Sequence, residues 1–170
     1  FSILKQADPA FYDSEETYCR DYQAYRQGQR INYRELANPH VHQTLNQLKN
    51  AGWHLALASS SPRANIEQVL RELVILPLFD VIASGDDFRE SKPNPEIYLH
   101  VAEQLRIKPQ ECTVIEDSTY GIQAAVRAGM RVLAKRDERY GFDQSLADAL
   151  FDDLAEIPAL LHVHTAEPLH

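Results

Sequence analysis

Three observations predict an α/β fold with a mainly parallel sheet. From about residue 39 short apolar runs alternate with helical periodicities. A polar residue followed by proline, the pattern of a helix start, recurs at Asn38-Pro39 and Ser61-Pro62. The conspicuous polar groups also gather just after the apolar runs, where open α/β sheets bind ligands.

The elements follow in chain order. In the first 30 or so residues, Tyr18, Tyr22 and Tyr25 recur at i, i+4, i+7 on a polar helix and read as a packing face. Asn38 and Pro39 open a helix whose inner face is Val41, Leu45 and Leu48 and which stops at Gly52. His54 to Ala58 reads as a strand. Ser61-Pro62 then starts a second helix with Ile66, Val69, Leu70 and Leu73 on one face.

Phe79 to Ala83 reads as the next strand, and Pro95 to Leu105 as a helix facing inward through Ile97, Val101 and Leu105. Between them lies the polar loop SGDDFRESKPN, in which Asp86 and Asp87 read as a solvated turn or cap. Thr113 to Ile115 form a short strand, and Ile122, Ala125, Val126 and Gly129 line the helix after it. Arg131 to Ala134 give a last strand, with amphipathic helical pieces from Leu146 onward. Residues 1–34 are expected to be a helical appendage, joined through INYRELANP to an α/β part at 35–170.

A chain of 170 residues, 44% of them hydrophobic, can bury a substantial core. Its formal charge of -8 argues against nucleic acid or an anionic membrane surface as a main partner, because no basic stripe is present to displace counterions. Cys19 and Cys112 are far apart and outside any C-x-x-C pair, which fits a reducing cytoplasm. No apolar run approaches the roughly 18 residues that cross a bilayer. A monomer is expected. Residue 1 is Phe and the only methionine is Met130, so the sequence is expected to begin partway through something longer or after processing.

Three polar groups share one edge of the predicted sheet. Ser59, Ser60 and Ser61 precede a helix N-terminus, where hydroxyls and free amides suit an anion or simply cap the helix. Lys92 sits between Ser91 and Pro93, a loop lysine that is either solvated or a point charge for a phosphate. Glu116 and Asp117 end a strand. If the strand ran through both, one charge would enter a covered face, so the strand must turn there. They suit a hard cation such as Mg²⁺, or an acidic helix start with Asp117 or Ser118 as cap.

Hydroxyls, a lysine and a carboxylate pair on successive strand ends are pieces of a magnesium-dependent phosphoryl-transfer site. An obvious nucleophile is missing. Neither G-x-G-x-x-G nor G-x-x-x-x-G-K-[ST] occurs, which removes support for dinucleotide and P-loop nucleotide binding. The pairs His40/His42 and His162/His164 lack companion ligands and read as surface or packing residues.

The segments LALASSSPRANIEQVL, FDVIASGDDFRESKPNPEIYL and VIEDSTYGIQAAVRAGMRV resemble motifs two, three and four of the haloacid dehalogenase-like hydrolases, in the branch close to β-phosphoglucomutase. The resemblance covers about residues 30 to 160. It implies a Rossmann-like core with a helical cap, and a reaction in which an aspartate attacks a phosphoryl group with Mg²⁺ bound. It further implies that Ser59 holds the transferring phosphoryl group and Lys92 neutralises it, that Glu116 and Asp117 bind magnesium directly or through water, and that Ser60, Ser61 and Arg63 contact substrate. The implied partner is a small phosphorylated metabolite, a sugar phosphate being expected.

The family's first motif, an Asp-x-Asp ending a central first strand, has no counterpart here. The chain is therefore expected to lack that strand and half of the cap, and to be inactive by itself. The competing reading is a non-catalytic phosphate- or metal-binding or interaction module.

Overall fold

The computed structural model describes residues 13–27, 31–136, 138 and 140–163. The chain divides into two compact units, Phe1–Asn32 and Tyr33–His170. In the first, helix α1 (Glu15–Gln27) starts beside Ser14, whose hydroxyl accepts the Thr17 amide at 3.2 Å. The rings of Tyr18 and Tyr22 stack at 5.9 Å along it. Tyr22 is half exposed, and the Tyr25 side chain lies outside the described residues.

The second unit runs α2 (Tyr33–Leu36), α3 (Val41–Asn50), β1 (Ala56–Ser59), α4 (Arg63–Glu72), β2 (Val81–Ser84), α5 (Glu96–Leu105), β3 (Thr113–Glu116), α6 (Thr119–Arg127), β4 (Arg131–Lys135), β5 (Ala149–Phe151) and α7 (Ile157–Leu160). The boundary expected at 34/35 falls inside α2. All strand pairings are parallel, as the alternating pattern predicts, but they form two sheets: β1–β2, and β3–β4–β5. Strand β5 and the short helix α2 are elements that the sequence did not show. Strand β5 has three residues, too few to display a period, where helical pieces were expected.

Side-chain alternation sets the layers. On one face Ala83, Val114, Val132 and Ala134 pack with Ile97, Tyr98 and Ala102 of α5 and Ile122, Ala124 and Ala125 of α6 in a single core. Their odd-even partners face the other way, where the apolar residues fall into two clusters. Leu133 and Phe151 join Leu48 and Ile157, while Leu57 and Ile82 pack against Ile66 and Leu70. Full burial of a side chain like Leu133, with no exposed surface, contributes about 1.5–3 kcal/mol. Ile115, in register with Leu133, is 40% exposed between the two clusters.

Two helix starts differ from the expected caps, and the Ser118 cap agrees with one of the expected alternatives. Helix α3 is preceded by His40 in a left-handed conformation (φ 62°), and α4 by Pro62, neither of which gives a side-chain cap. Helix α5 is capped by Asn94, whose Oδ1 accepts the Glu96 amide at 2.9 Å. Ser118 caps α6, accepting the Gly121 amide at 3.1 Å. Among the described residues no helix is long and apolar enough to cross a membrane.

Candidate active site at the carboxyl ends of the strands

In the parallel register Ser59 ends β1 opposite Ser84 of β2, and Glu116 ends β3 opposite Ala134 of β4. Lys92 lies in the loop that runs from β2 to α5, anchored from α6 by the Arg127 guanidinium, which donates to the Pro93 carbonyl at 2.9 Å. Its ammonium donates to the Ala58 carbonyl at 3.1 Å and to Glu116 Oε1 at 2.5 Å. Lys92 thus joins the residue before Ser59 to the residue before Asp117 across two separate sheets. An ammonium carries three donors, so one remains for a ligand.

Glu116 and Asp117, expected together as metal ligands, part company. The Glu116 side chain is 10% exposed and its carboxylate is filled by donors from its own protein. Oε1 accepts from Lys92 and from the Tyr98 hydroxyl at 2.8 Å; Oε2 accepts from the Asp117 amide at 3.1 Å and from the Ser118 amide and hydroxyl at 3.3 and 3.1 Å. Burial acts to raise its pKa, but the Lys92 charge and these hydrogen bonds outweigh it and hold the carboxyl below its ordinary value of 4.5. Gly121 makes room for the group: a Cβ there would collide with the Glu116 carboxylate.

Asp117, by contrast, is exposed at the turn, and its carbonyl accepts the Gln144 side-chain amide at 2.8 Å. Among the described residues no group of three or more His, Cys, Asp and Glu is placed to hold a metal. What is present fits a magnesium ion that takes one carboxylate here and completes its octahedron with water and phosphate oxygens. Asp117 would be that carboxylate.

Ser59 Oγ accepts the Ser61 amide at 3.1 Å, which folds the loop back and leaves the Ser59 hydroxyl proton available to an anion. Ser60 and Ser61 are exposed beside it. Arg63, expected to touch substrate, has a side chain 42% exposed that is also paired within the chain. Its guanidinium donates to Asp87 at 2.6 Å and to the Ile82 carbonyl at 3.4 Å, and its amide to Asp86 at 2.8 Å. His40 pairs with Asp153 at 2.8 Å; His164 lies outside the described residues.

Tyr98 is the site residue that sequence reasoning missed. Its ring lies under the Lys92 ammonium at 4.8 Å while its hydroxyl holds Glu116, and burial together with the Glu116 charge drives its pKa upward. The available signal was a tyrosine next to Ile97 on an inward face, since a buried phenol needs a partner.

A family model described as haloacid dehalogenase-like hydrolase matches residues 4–135. The phosphorylated carbohydrates phosphatase of Thermotoga maritima is 40% identical over 111 residues, covering 65% of this chain and 49% of that protein. CbbY from Rhodobacter sphaeroides, solved with xylulose-(1,5)bisphosphate, superposes with a TM-score of 0.63 at 33% identity, over 70% of this chain and 55% of that one. A β-phosphoglucomutase from Clostridium difficile gives a TM-score of 0.66 at 29% identity, over 75% of this chain and 54% of that one. The chain spans about half the length of the curated relatives it matches.

Proposed function

Because the chain belongs to the haloacid dehalogenase-like hydrolases, we propose that it is the α/β core, with the last part of a helical cap at 1–34, of a magnesium-dependent phosphatase or phosphomutase acting on a small phosphorylated metabolite. A sugar phosphate is the favoured substrate, in keeping with the relatives' names. The observation that carries the reading is the Lys92 bridge, which puts a partly committed ammonium between the ends of β1 and β3.

In this reading the Ser59 hydroxyl and the Ser60 amide bind the oxygens of the transferring phosphoryl group. Lys92 offsets its charge, and Glu116 and Tyr98 fix where the ammonium points. Asp117 holds magnesium, which when bound neutralises phosphate charge and orients the group. Glu116 serves the site through Lys92.

In this reading the nucleophile is an aspartate of the family's Asp-x-Asp motif, which has no counterpart in these 170 residues. Its carboxylate attacks phosphorus, the ester oxygen leaves and takes a proton, and water or a second hydroxyl then receives the phosphoryl group. The separation of the two sheets supports this assignment, since one further strand between β1 and β3 would pair both edges and cover Ile115. We place the protein in the cytoplasm as a monomer.

Hydrolysis of a generic phosphate ester by the full chain that the gene encodes tests the proposal. Asp117→Asn should cut turnover by about a hundredfold and weaken the dependence on Mg²⁺. Unchanged kinetics would overturn it, and a full chain without an Asp-x-Asp at a strand end would favour a binding module. The 170-residue chain alone should show negligible turnover.

A further inference from the structure

Parallel pairing of β3 with β4 ends where Glu116 lies opposite Ala134. The next rung would join Asp117 to Lys135, but the chain leaves β3 at Asp117 while β4 runs on through Lys135. The carbonyls of these two residues come close enough at the opening to share one donor group. The Gln144 side-chain amide takes both, donating to the Asp117 carbonyl at 2.8 Å and to the Lys135 carbonyl at 2.7 Å. A primary amide has two donor hydrogens, and the bridge uses both.

Gln144 is itself braced against the same turn. The amide of Asp143 donates to Thr119 Oγ1 at 2.8 Å, at the first residue of α6, and the Asp143 carboxylate accepts the Ser145 amide at 3.0 Å. The Gln144 carbonyl accepts the Ala147 amide at 3.1 Å. A segment 27 positions from Asp117 therefore grips the turn between β3 and α6 at two points.

The bridge completes the fixing of Asp117. The peptide before its Cα is held by the amide that donates to Glu116 Oε2 at 3.1 Å. The peptide after it is held at both ends, its N–H by Glu116 Oε2 at 3.3 Å and its carbonyl by Gln144, whose bond is the shorter. With the peptides on either side tied, the backbone sets the direction of the Asp117 Cα–Cβ bond, and so the place to which the carboxylate is delivered. A neutral amide does this without adding positive charge beside a bound cation.

We propose that Gln144 is a positioning residue for the reaction: by tying the Asp117 carbonyl to the end of β4, it aims the Asp117 carboxylate at magnesium. The inference rests on the reading of Asp117 as the magnesium ligand. Partners that orient a ligand in this way change metal affinity by about 10–100-fold when replaced.

The test titrates the full chain that the gene encodes with Mn²⁺, followed by electron paramagnetic resonance without substrate, and separately measures phosphate ester hydrolysis against Mg²⁺ concentration. Gln144→Glu keeps the size of the side chain but turns its donor into an acceptor facing two carbonyls. It should weaken Mn²⁺ binding and raise the Mg²⁺ concentration at half activity, each by roughly tenfold, with KM for the ester at saturating Mg²⁺ unmoved. A carboxylate added near a cation would by charge alone tighten binding, so the expected loss reports geometry. A merely structural defect would instead lower turnover equally at every Mg²⁺ concentration and leave Mn²⁺ binding as it was, which overturns the inference. Gln144→Ala removes the bridge and leaves water to take the carbonyls, and it should move both titrations in the same direction if Gln144→Glu folds poorly. Titrations unchanged in both variants, alongside an Asp117→Asn variant that loses Mn²⁺ binding, likewise overturn the inference. An Asp117→Asn variant that binds Mn²⁺ as the wild type does overturns the magnesium reading itself.

Discussion

The two sheets are built differently. Residues Val132, Leu133 and Ala134 of β4 have no exposed surface, and β4 is paired on both sides. Every residue of β1 is only partly buried, and among the described residues β1 pairs with β2 alone. The polar groups of the candidate site differ in the same way. At the end of β3 a buried carboxylate is saturated by Lys92, Tyr98 and Ser118, whereas at the end of β1 the serine loop is exposed and held from outside by the Ser84–Asp87 turn. One sheet fixes charge by burying it, and the other presents donors by bracing a loop.

This contrast ranks the expected effects of substitution. Leu133→Ala should cost about 2–5 kcal/mol in urea unfolding, whereas Leu57→Ala on β1 should cost clearly less. Equal losses would erase the distinction between the sheets. Lys92→Ala strands the buried Glu116 charge with weaker neutral donors and should cost about 3 kcal/mol by the same measurement.

The acid limb of stability sharpens the comparison further. Glu116 has a folded pKa below its ordinary value of 4.5, so its contribution is complete above that pH and is lost as pH falls through the depressed value. The stability gap between wild type and Glu116→Gln should therefore be widest near neutrality and narrow below about pH 4.5, as unfolding curves collected from pH 7 to 3 would show. The smallest effects belong to the serines. Ser118→Ala removes both a cap and a Glu116 donor and should cost about 1 kcal/mol, whereas Ser59→Ala should stay within about 0.5 kcal/mol and act on phosphate binding instead.

Much of this was legible in the chain. Alternating runs such as Thr113–Glu116 followed by Thr119–Arg127 declare parallel strands and helices, because period 2 and period 3.6 leave different marks. That Ser59, Lys92 and Glu116 would gather at one edge was legible because strand ends collect polar groups. The illegible parts depend on contacts between residues distant in sequence. Glu116 and Asp117 are neighbours with opposite surroundings, and that difference is made by Lys92, 24 positions away. The pairing of Arg63 with Asp87 at the next strand end spans 24 positions and leaves no mark in the local pattern. Helix α4 lost its expected serine cap to a carboxylate 23 residues downstream.

The five donors on Glu116 also bear on how this protein can change over generations. Positions 92, 98, 116 and 118 share one carboxylate, and Gly121 supplies the space it fills. Replacing any one of them alters what the others require, so their substitutions should be strongly non-additive, unlike those at distant surface positions. A lineage that exchanged the lysine for a neutral side chain would have to neutralise position 116 at nearly the same time. The set should behave as a unit even though its members come from a loop, a strand and two helices.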